Sequence, residues 1–188
     1  VLVRSKNREG NQKLLEEYQT EFGYTVEYVE PLYHEGKLVS SSLIRECLLS
    51  ARVREANMLL GRAYRMIGKV CTGTAQGRNM GFPTANLCPL NPHQLIPSDG
   101  IYLSRVVIDN SCYWGLTNIG KSPTLKKSRM SEVETFILDF DQSIYNTTIQ
   151  VELLEYIREE KRFINTNELI DAMKNDLLRA RVLIGEYQ

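Results

Sequence analysis

Ile101-Tyr102-Leu103-Ser104-Arg105-Val106-Val107-Ile108-Asp109-Asn110-Ser111-Cys112-Tyr113-Trp114-Gly115-Leu116-Thr117-Asn118 reads as two strands joined by a turn. Ile101–Ile108 and Cys112–Asn118 are rich in β-branched and aromatic residues, and Asp109-Asn110-Ser111 is a short polar break between them. That pattern predicts an antiparallel hairpin. Working outward, Tyr64–Thr72, Glu132–Phe140 and Thr148–Tyr156 have the same character. In the last of these Ile149, Val151 and Leu153 alternate with Gln150 and Glu152, giving one buried and one wet face. Short strands separated by Gly, Pro and Asn turns predict a small closed barrel or a sandwich. A helix over 167–184 closes the chain, with Leu169, Met173, Leu177, Ala180 and Ile184 as its apolar stripe, expected to be core packing.

The chain changes character near Gly61. Before it lie a helical pattern over 11–22, carried by Leu14, Leu15 and Tyr18, and a strand-like alternation from Thr25 to Glu30. Ser40-Ser41-Ser42 offers N-cap hydroxyls ahead of Leu43, Ile44, Cys47 and Leu48, and Val53 to Leu60 is a second helix ending at Gly61. One strand cannot form a sheet by itself, so this part needs partners. The expected organisation is a partial α/β segment, 1–61, followed by a mainly β domain, 62–188.

Several function classes are disfavoured. There are 23 basic and 23 acidic residues, a balance unlike that of a duplex-binding protein. No apolar run reaches the roughly 18 residues needed to cross a bilayer. Cys47, Cys71, Cys88 and Cys112 form no metal-ligand spacing and are expected to be buried free thiols in a reducing cytoplasm. The two histidines, His34 and His93, lie in polar contexts, which argues against a Ser-His-Asp hydrolase or a His-rich metal site.

The densest chemical signal runs from Gly73 to Asn86. Gly73, Gly77 and Gly81 stand at four-residue spacing, so their backbone can approach a ligand closely, and Arg78 could add a positive charge against phosphate oxygens. The spacing matches neither common phosphate loop. Pro83 then fixes an extended segment in which Thr84 and Asn86, two residues apart, point to one side. A hydroxyl and an amide oxygen suit Mg²⁺, which takes its remaining ligands from phosphates and water. Taken alone, Thr-x-Asn is ordinary turn or edge-strand chemistry.

The glycine loop with Pro83-Thr84-Ala85-Asn86 resembles the signature of the riboflavin kinase family. Asn118-Ile119-Gly120-Lys121-Ser122-Pro123-Thr124 is similar to that family's second nucleotide-side segment. Val133 to Phe140 is similar to the strand carrying its catalytic glutamate, and Ile157 to Phe163 to the segment before its C-terminal helix. The resemblance covers about residues 62–185. It implies a six-stranded Greek-key β-barrel, Mg²⁺ with ATP under the glycine loop, and riboflavin as the substrate converted to FMN. It implies Glu134 as the base, Thr84 and Asn86 as metal ligands, and Gly73, Gly77, Arg78, Gly81, Pro83, Asn118, Gly120, Thr124 and Arg158 around the nucleotide and flavin. Arg158 has a second reading as a salt-bridged barrel arginine. Tyr113 and Trp114 could stack on a flavin but sit where core aromatics belong.

Residues 7–11, 39–45 and 59–64 resemble the tail of the bacterial FMN adenylyltransferase domain that precedes such kinases. That fold's His-rich nucleotide motif has no counterpart here, so FAD synthesis by this chain is not expected. The expected partners are small molecules, with neither nucleic acid nor membrane, in the cytoplasm, and with self-association through the incomplete N-terminal part. The alternative is a flavin- or FMN-binding module without turnover; Glu134 favours the enzyme, because a pure binder needs no base.

Overall fold

Thr148 to Arg158 alternates buried and partly exposed positions along most of its length, and it is the seam on which the fold closes. The computed structural model describes residues 12–73, 77, 80–121 and 131–187. In chain order the elements are α1 (Gln12–Glu17), α2 (Gln19–Phe22), β1 (Tyr33–His34), β2 (Lys37–Leu38), α3 (Ser41–Leu49), α4 (Val53–Leu60), β3 (Tyr64–Cys71), β4 (Thr84–Pro89), β5 (Gly100–Ile108), β6 (Ser111–Gly120), β7 (Glu132–Ile137), β8 (Thr148–Arg158) and α5 (Thr166–Ile184). Strands β3 to β8 form a closed antiparallel barrel in the order β3-β4-β7-β6-β5-β8. Closure removes the free edges that an open six-stranded sheet would present.

The β5–β6 hairpin forms as its composition predicts. Ile108 pairs with Ser111, and Asp109 and Asn110 take positive φ values of 45° and 69°, the turn that matches strand twist. Directly paired residues share a face, so the registers define what points inward. Met66, Val151 and Val106 form one such row, and Ala85, Thr135, Thr117 and Tyr102 another; all are buried. The three hydroxyls buried in this interior satisfy one another. Thr117 Oγ1 donates to Ser104 Oγ at 2.8 Å and lies 2.9 Å from Thr135 Oγ1, so burial leaves no orphaned hydroxyl among them.

The outer face of β5, β6 and β8 is apolar where α5 covers it. Leu103, Leu116, Leu138 and Ile157 pack against Ala180, with Leu177, Leu183 and Ile184 around them. Asn165 caps this helix by accepting from Glu168 N–H at 2.9 Å, while the Glu168 carboxylate reaches back to Ile164 N–H. Trp114 packs at the edge of this cluster, 6.2 Å from the Tyr187 ring, and Tyr113 stands edge-on to Phe140 at 5.0 Å. Both aromatics therefore take their core reading.

Two compact units divide at Val39 and Ser40. In the first, the expected strand from Thr25 to Glu30 does not form; the segment has no regular structure, and Val26 N–H bonds the Gln19 side chain. A strand without a neighbour to share its ladder has no reason to persist. The only strand pairing described in this unit is the short β1–β2 hairpin. In the second unit α3 and α4 accompany the barrel, although their sequence character is that of the preceding segment. Asn57 makes the join: its Nδ2 donates to Leu153 O at 2.9 Å and its Oδ1 accepts from Tyr64 N–H at 2.7 Å.

Three of the four cysteines depart from expectation, whereas Cys47 is buried as expected. Cys71 and Cys88 form a disulfide across β3 and β4, and Cys112 is exposed. Lys69 pairs with Cys88 and Cys71 with Asn86, so the two sulfurs start from diagonal positions on one face, with Cα atoms 6.0 Å apart. That separation suits a bridge.

Two outcomes follow for solution measurements. Asn57→Ala strips a partner from both a buried N–H and a buried carbonyl; it should cost about 2–3 kcal/mol and lower the melting temperature by roughly 4–12 °C in thermal denaturation. Thiol titration of protein denatured without reductant should count two thiols per chain, rising to four after reduction.

Candidate active site

One row of directly paired residues crosses five strands on the outside of the barrel. Asn86 on β4 pairs with Glu134 on β7, Glu134 with Asn118 on β6, Asn118 with Ile101 on β5, and Ile101 with Arg158 on β8. The next row on the same face is Thr84, Phe136, Leu116 and Leu103. Thr84 and Asn86 thus share one face of β4, as their spacing predicts. Glu134, Asn118, Ile101 and Arg158 of the first row, with Thr84, Phe136 and Leu116 of the second, floor a cavity of about 970 Å³, whose far wall is made by Phe163 and by Leu169, Met173 and Asp176 of α5.

The wall is held by an ion pair. Arg158 Nε and Nη2 donate to the two oxygens of Asp176 at 2.7 and 2.6 Å, and Nη1 donates to Glu159 O at 2.8 Å. Asp176 is buried, and the two-pronged geometry compensates its charge. Arg158 also lies over the Phe163 ring, 5.9 Å from its centroid. Both sequence readings of Arg158 therefore meet in one place: it lines the cavity, and its guanidinium ties β8 to α5.

Glu134 is half-buried on the floor. Burial pushes its carboxyl above the usual carboxylate range, and the like charges of Glu132 and Glu160 push the same way. Glu160 comes close because Gly120 lacks a side chain; a Cβ there would collide with the Glu160 carboxylate. On the other side of Glu134, Asn118 Oδ1 is buried and has no hydrogen-bond partner among the described residues. At the β4 end, a Cβ on Gly73 would collide with the Asn86 side-chain amide, so the start of the glycine loop rests directly on that residue.

A second, smaller cavity of about 310 Å³ is lined by Val70, Pro83, Ala85, Ile137 and the loop from Phe140 to Tyr145, and Thr84 lines both cavities. Thr84 and Asn86 offer two neutral, hard oxygens on one strand face, Thr84 on both cavities and Asn86 against Gly73. Such a donor pair fits a divalent cation that brings phosphate and water for its other positions.

The structure thus brings together Gly73, Gly77, Thr84, Asn86, Asn118, Gly120, Glu134 and Arg158, with Pro83 on the smaller cavity. Gly81 takes a φ of +82° just before it. Arg78 and Thr124 lie outside the described residues. Sequence reasoning missed Phe82, Ile101, Phe136 and Asp176, and it read Leu169 and Met173 as core although they face the cavity. The signal available was the stripe itself, which is longer than the barrel surface that α5 covers.

The family model of flavokinase, riboflavin kinase, matches residues 60–184. The bifunctional riboflavin kinase/FMN adenylyltransferase of Bacillus subtilis is 37% identical over 79% of this chain and 47% of its own length. That of Escherichia coli K12 is 34% identical over 95% of this chain and 56% of its own. The chain spans about half the length of the curated relatives it matches. A crystal structure described as a macrolide-efflux protein from Streptococcus pneumoniae superposes with a TM-score of 0.77 at 35% identity, covering 88% of this chain and 54% of that one. With two thirds of its residues matched by the family model, the chain belongs to the riboflavin kinase family.

Proposed function

We propose that the chain transfers the terminal phosphoryl group of ATP to the 5′-hydroxyl of riboflavin's ribityl chain, giving FMN and ADP. The observation that carries this is Glu134: a partly desolvated carboxylate, flanked in register by Asn86 and Asn118, on the floor of a cavity large enough for a flavin. A pure binding site has no use for such a group. Phosphoryl transfer demands positioning and charge neutralisation, with a base to accept the hydroxyl proton. Glu134 takes that proton as the hydroxyl oxygen attacks phosphorus, and the bond to the ADP leaving oxygen breaks. The flavin occupies the larger cavity under α5 and the nucleotide the smaller one, so the reacting groups meet beside Thr84, which belongs to both. Thr84 and Asn86 would hold the divalent cation, Mg²⁺ in this reading, whose chemistry is to neutralise the phosphate charge. Phe82, Phe136 and Met173 supply apolar surface to the isoalloxazine ring.

The setting that supplies ATP is the cytoplasm. Among the described residues no helix is long and apolar enough to cross a membrane. Residues 1–61 correspond, in this reading, to the tail of an adenylyltransferase domain, of which α3 and α4 are built into the kinase's compact unit. Exposed Phe22, Val29, Leu32 and Tyr33 in the first unit support self-association through that part.

Incubation of the purified protein with riboflavin, ATP and Mg²⁺ should yield FMN, followed by chromatography. Glu134→Gln should lower turnover by about 10²–10⁴-fold, the usual share of a general base, while riboflavin binding survives. Tight riboflavin binding without FMN from the parent protein would instead establish the binding module.

The pH profile supplies a second outcome. Because the base must be ionised and its proton affinity is raised, turnover should climb with pH along an acid limb displaced above the ordinary carboxylate range. Glu160→Gln removes a like charge and should move that limb to lower pH. The sign for stability is opposite to that for activity. A protonated Glu134 favours the folded state below its unfolded pKa, and this contribution is lost as pH rises through the folded one. Glu134→Gln should therefore not lower the melting temperature at neutral pH.

A further inference from the structure

We infer that Asn118 is a flavin-binding residue whose side-chain carbonyl accepts a hydrogen bond from a ribityl hydroxyl neighbouring the one that Glu134 deprotonates. The inference rests on the proposed riboflavin kinase reading and adds to it the residue that orients the polyol.

Asn118 Oδ1 is a buried acceptor without a donor among the described residues. Buried polar atoms are nearly always paired, so an orphan on a cavity floor calls for a ligand that brings the missing half. Among the described hydrogen bonds, none of its neighbours in the row supplies it. Glu134, when ionised to act as a base, only accepts. Ile101, on the other side, has an apolar side chain. Arg158 stands one position further along, beyond Ile101, and its described bonds go to Asp176 and Glu159.

The geometry also says what kind of donor fits. Asn118 and Glu134 are directly paired, so their Cβ atoms stand about 4.5–5.5 Å apart on one face. Two acceptors side by side are suited to two hydroxyls side by side, as a polyol carries. One hydroxyl surrenders its proton to Glu134 and its neighbour donates to Asn118, which holds the chain so that the reacting oxygen cannot swing away. The flavin ring system is a poorer match, because its only strong donor is a single ring N–H.

The experiment compares two flavins on two proteins. Riboflavin and lumiflavin share the ring and its N–H, but lumiflavin has a methyl group in place of the polyol. Their affinities are read by flavin fluorescence quenching, without turnover. Asn118→Leu keeps the size of the side chain and removes the acceptor. It should weaken riboflavin binding about tenfold, the scale of one lost hydrogen bond, and leave lumiflavin binding unchanged. Asn118→Ser, which keeps a smaller acceptor and guards against a misfolded leucine variant, should lose less. In steady state KM for riboflavin should rise while KM for ATP stays put. Equal weakening of both flavins would mean ring contact or mere structure, and a rise confined to KM for ATP would put Asn118 on the nucleotide side; either overturns the inference. If the parent protein binds neither flavin, the riboflavin kinase reading itself falls and this inference falls with it. An Asn118 failure, by contrast, leaves parent binding intact.

Discussion

The candidate active site depends on the two-residue period of β7. Val133, Thr135 and Ile137 turn inward and are buried, which leaves Glu134 and Phe136 to face out. A slip of one residue would put a carboxylate in the barrel core and an apolar side chain on the cavity floor, so the core itself enforces the register. Glu134 is placed by its neighbours' burial. The same rule acts on β4 and β6, where Ala85, Leu87, Thr117 and Ile119 are buried and Thr84, Asn86 and Asn118 emerge on the other face. The hydroxyl chain of Ser104, Thr117 and Thr135 lies just beneath and locks β5, β6 and β7 at this level.

The far wall of the cavity comes from dividing one helix between two tasks. The C-terminal half of α5 lies on the barrel through Leu177, Ala180, Leu183 and Ile184, and its N-terminal half lines the cavity with Leu169 and Met173. Apolar side chains over a cavity would favour collapse onto the floor. The Arg158–Asp176 pair opposes that, because it fixes the helix to the end of β8 at a set distance through two parallel hydrogen bonds. A buried ion pair contributes little net stability against an apolar replacement. Its directionality is what an open cavity requires, so its use here is geometric.

Most of the barrel was legible because its strands are short, alternating and bounded by turns. The β5–β6 hairpin, α4 and α5 all fall within a residue or two of their predicted limits. The strand at Thr25 to Glu30 failed for a reason outside local pattern: pairing partners decide whether an alternating segment becomes a strand. The site was legible where spacing alone carries meaning, as for Thr84 and Asn86. It was illegible where the relevant neighbour is distant in sequence. Nothing near Asp176 announces Arg158, nothing near Gly120 announces Glu160, and the Cys71–Cys88 bridge follows from the β3–β4 register rather than from any cysteine motif.

The distribution of charge around the floor bears on how the two proposed substrates would divide the site. At the centre stand acceptors, the Glu134 carboxylate and the Asn118 carbonyl, with apolar Ile101, Leu116 and Phe136 beside them. Lys121, Lys161 and Arg162 are exposed at the rim. A phosphate driven onto the floor would meet a partly desolvated carboxylate and be repelled, whereas a hydroxyl is drawn to both acceptors. In the proposed reading the polyol enters the centre and the triphosphate stays on the β4 side, where the Gly73 backbone crowds Asn86 and Thr84 opens to the smaller cavity. Raising the proton affinity of Glu134 serves this arrangement too. A carboxylate too acidic would be a weak base toward a hydroxyl, and in the proposed reaction the burial that raises the pKa of Glu134 would also disfavour water as a competitor of the ribityl oxygen.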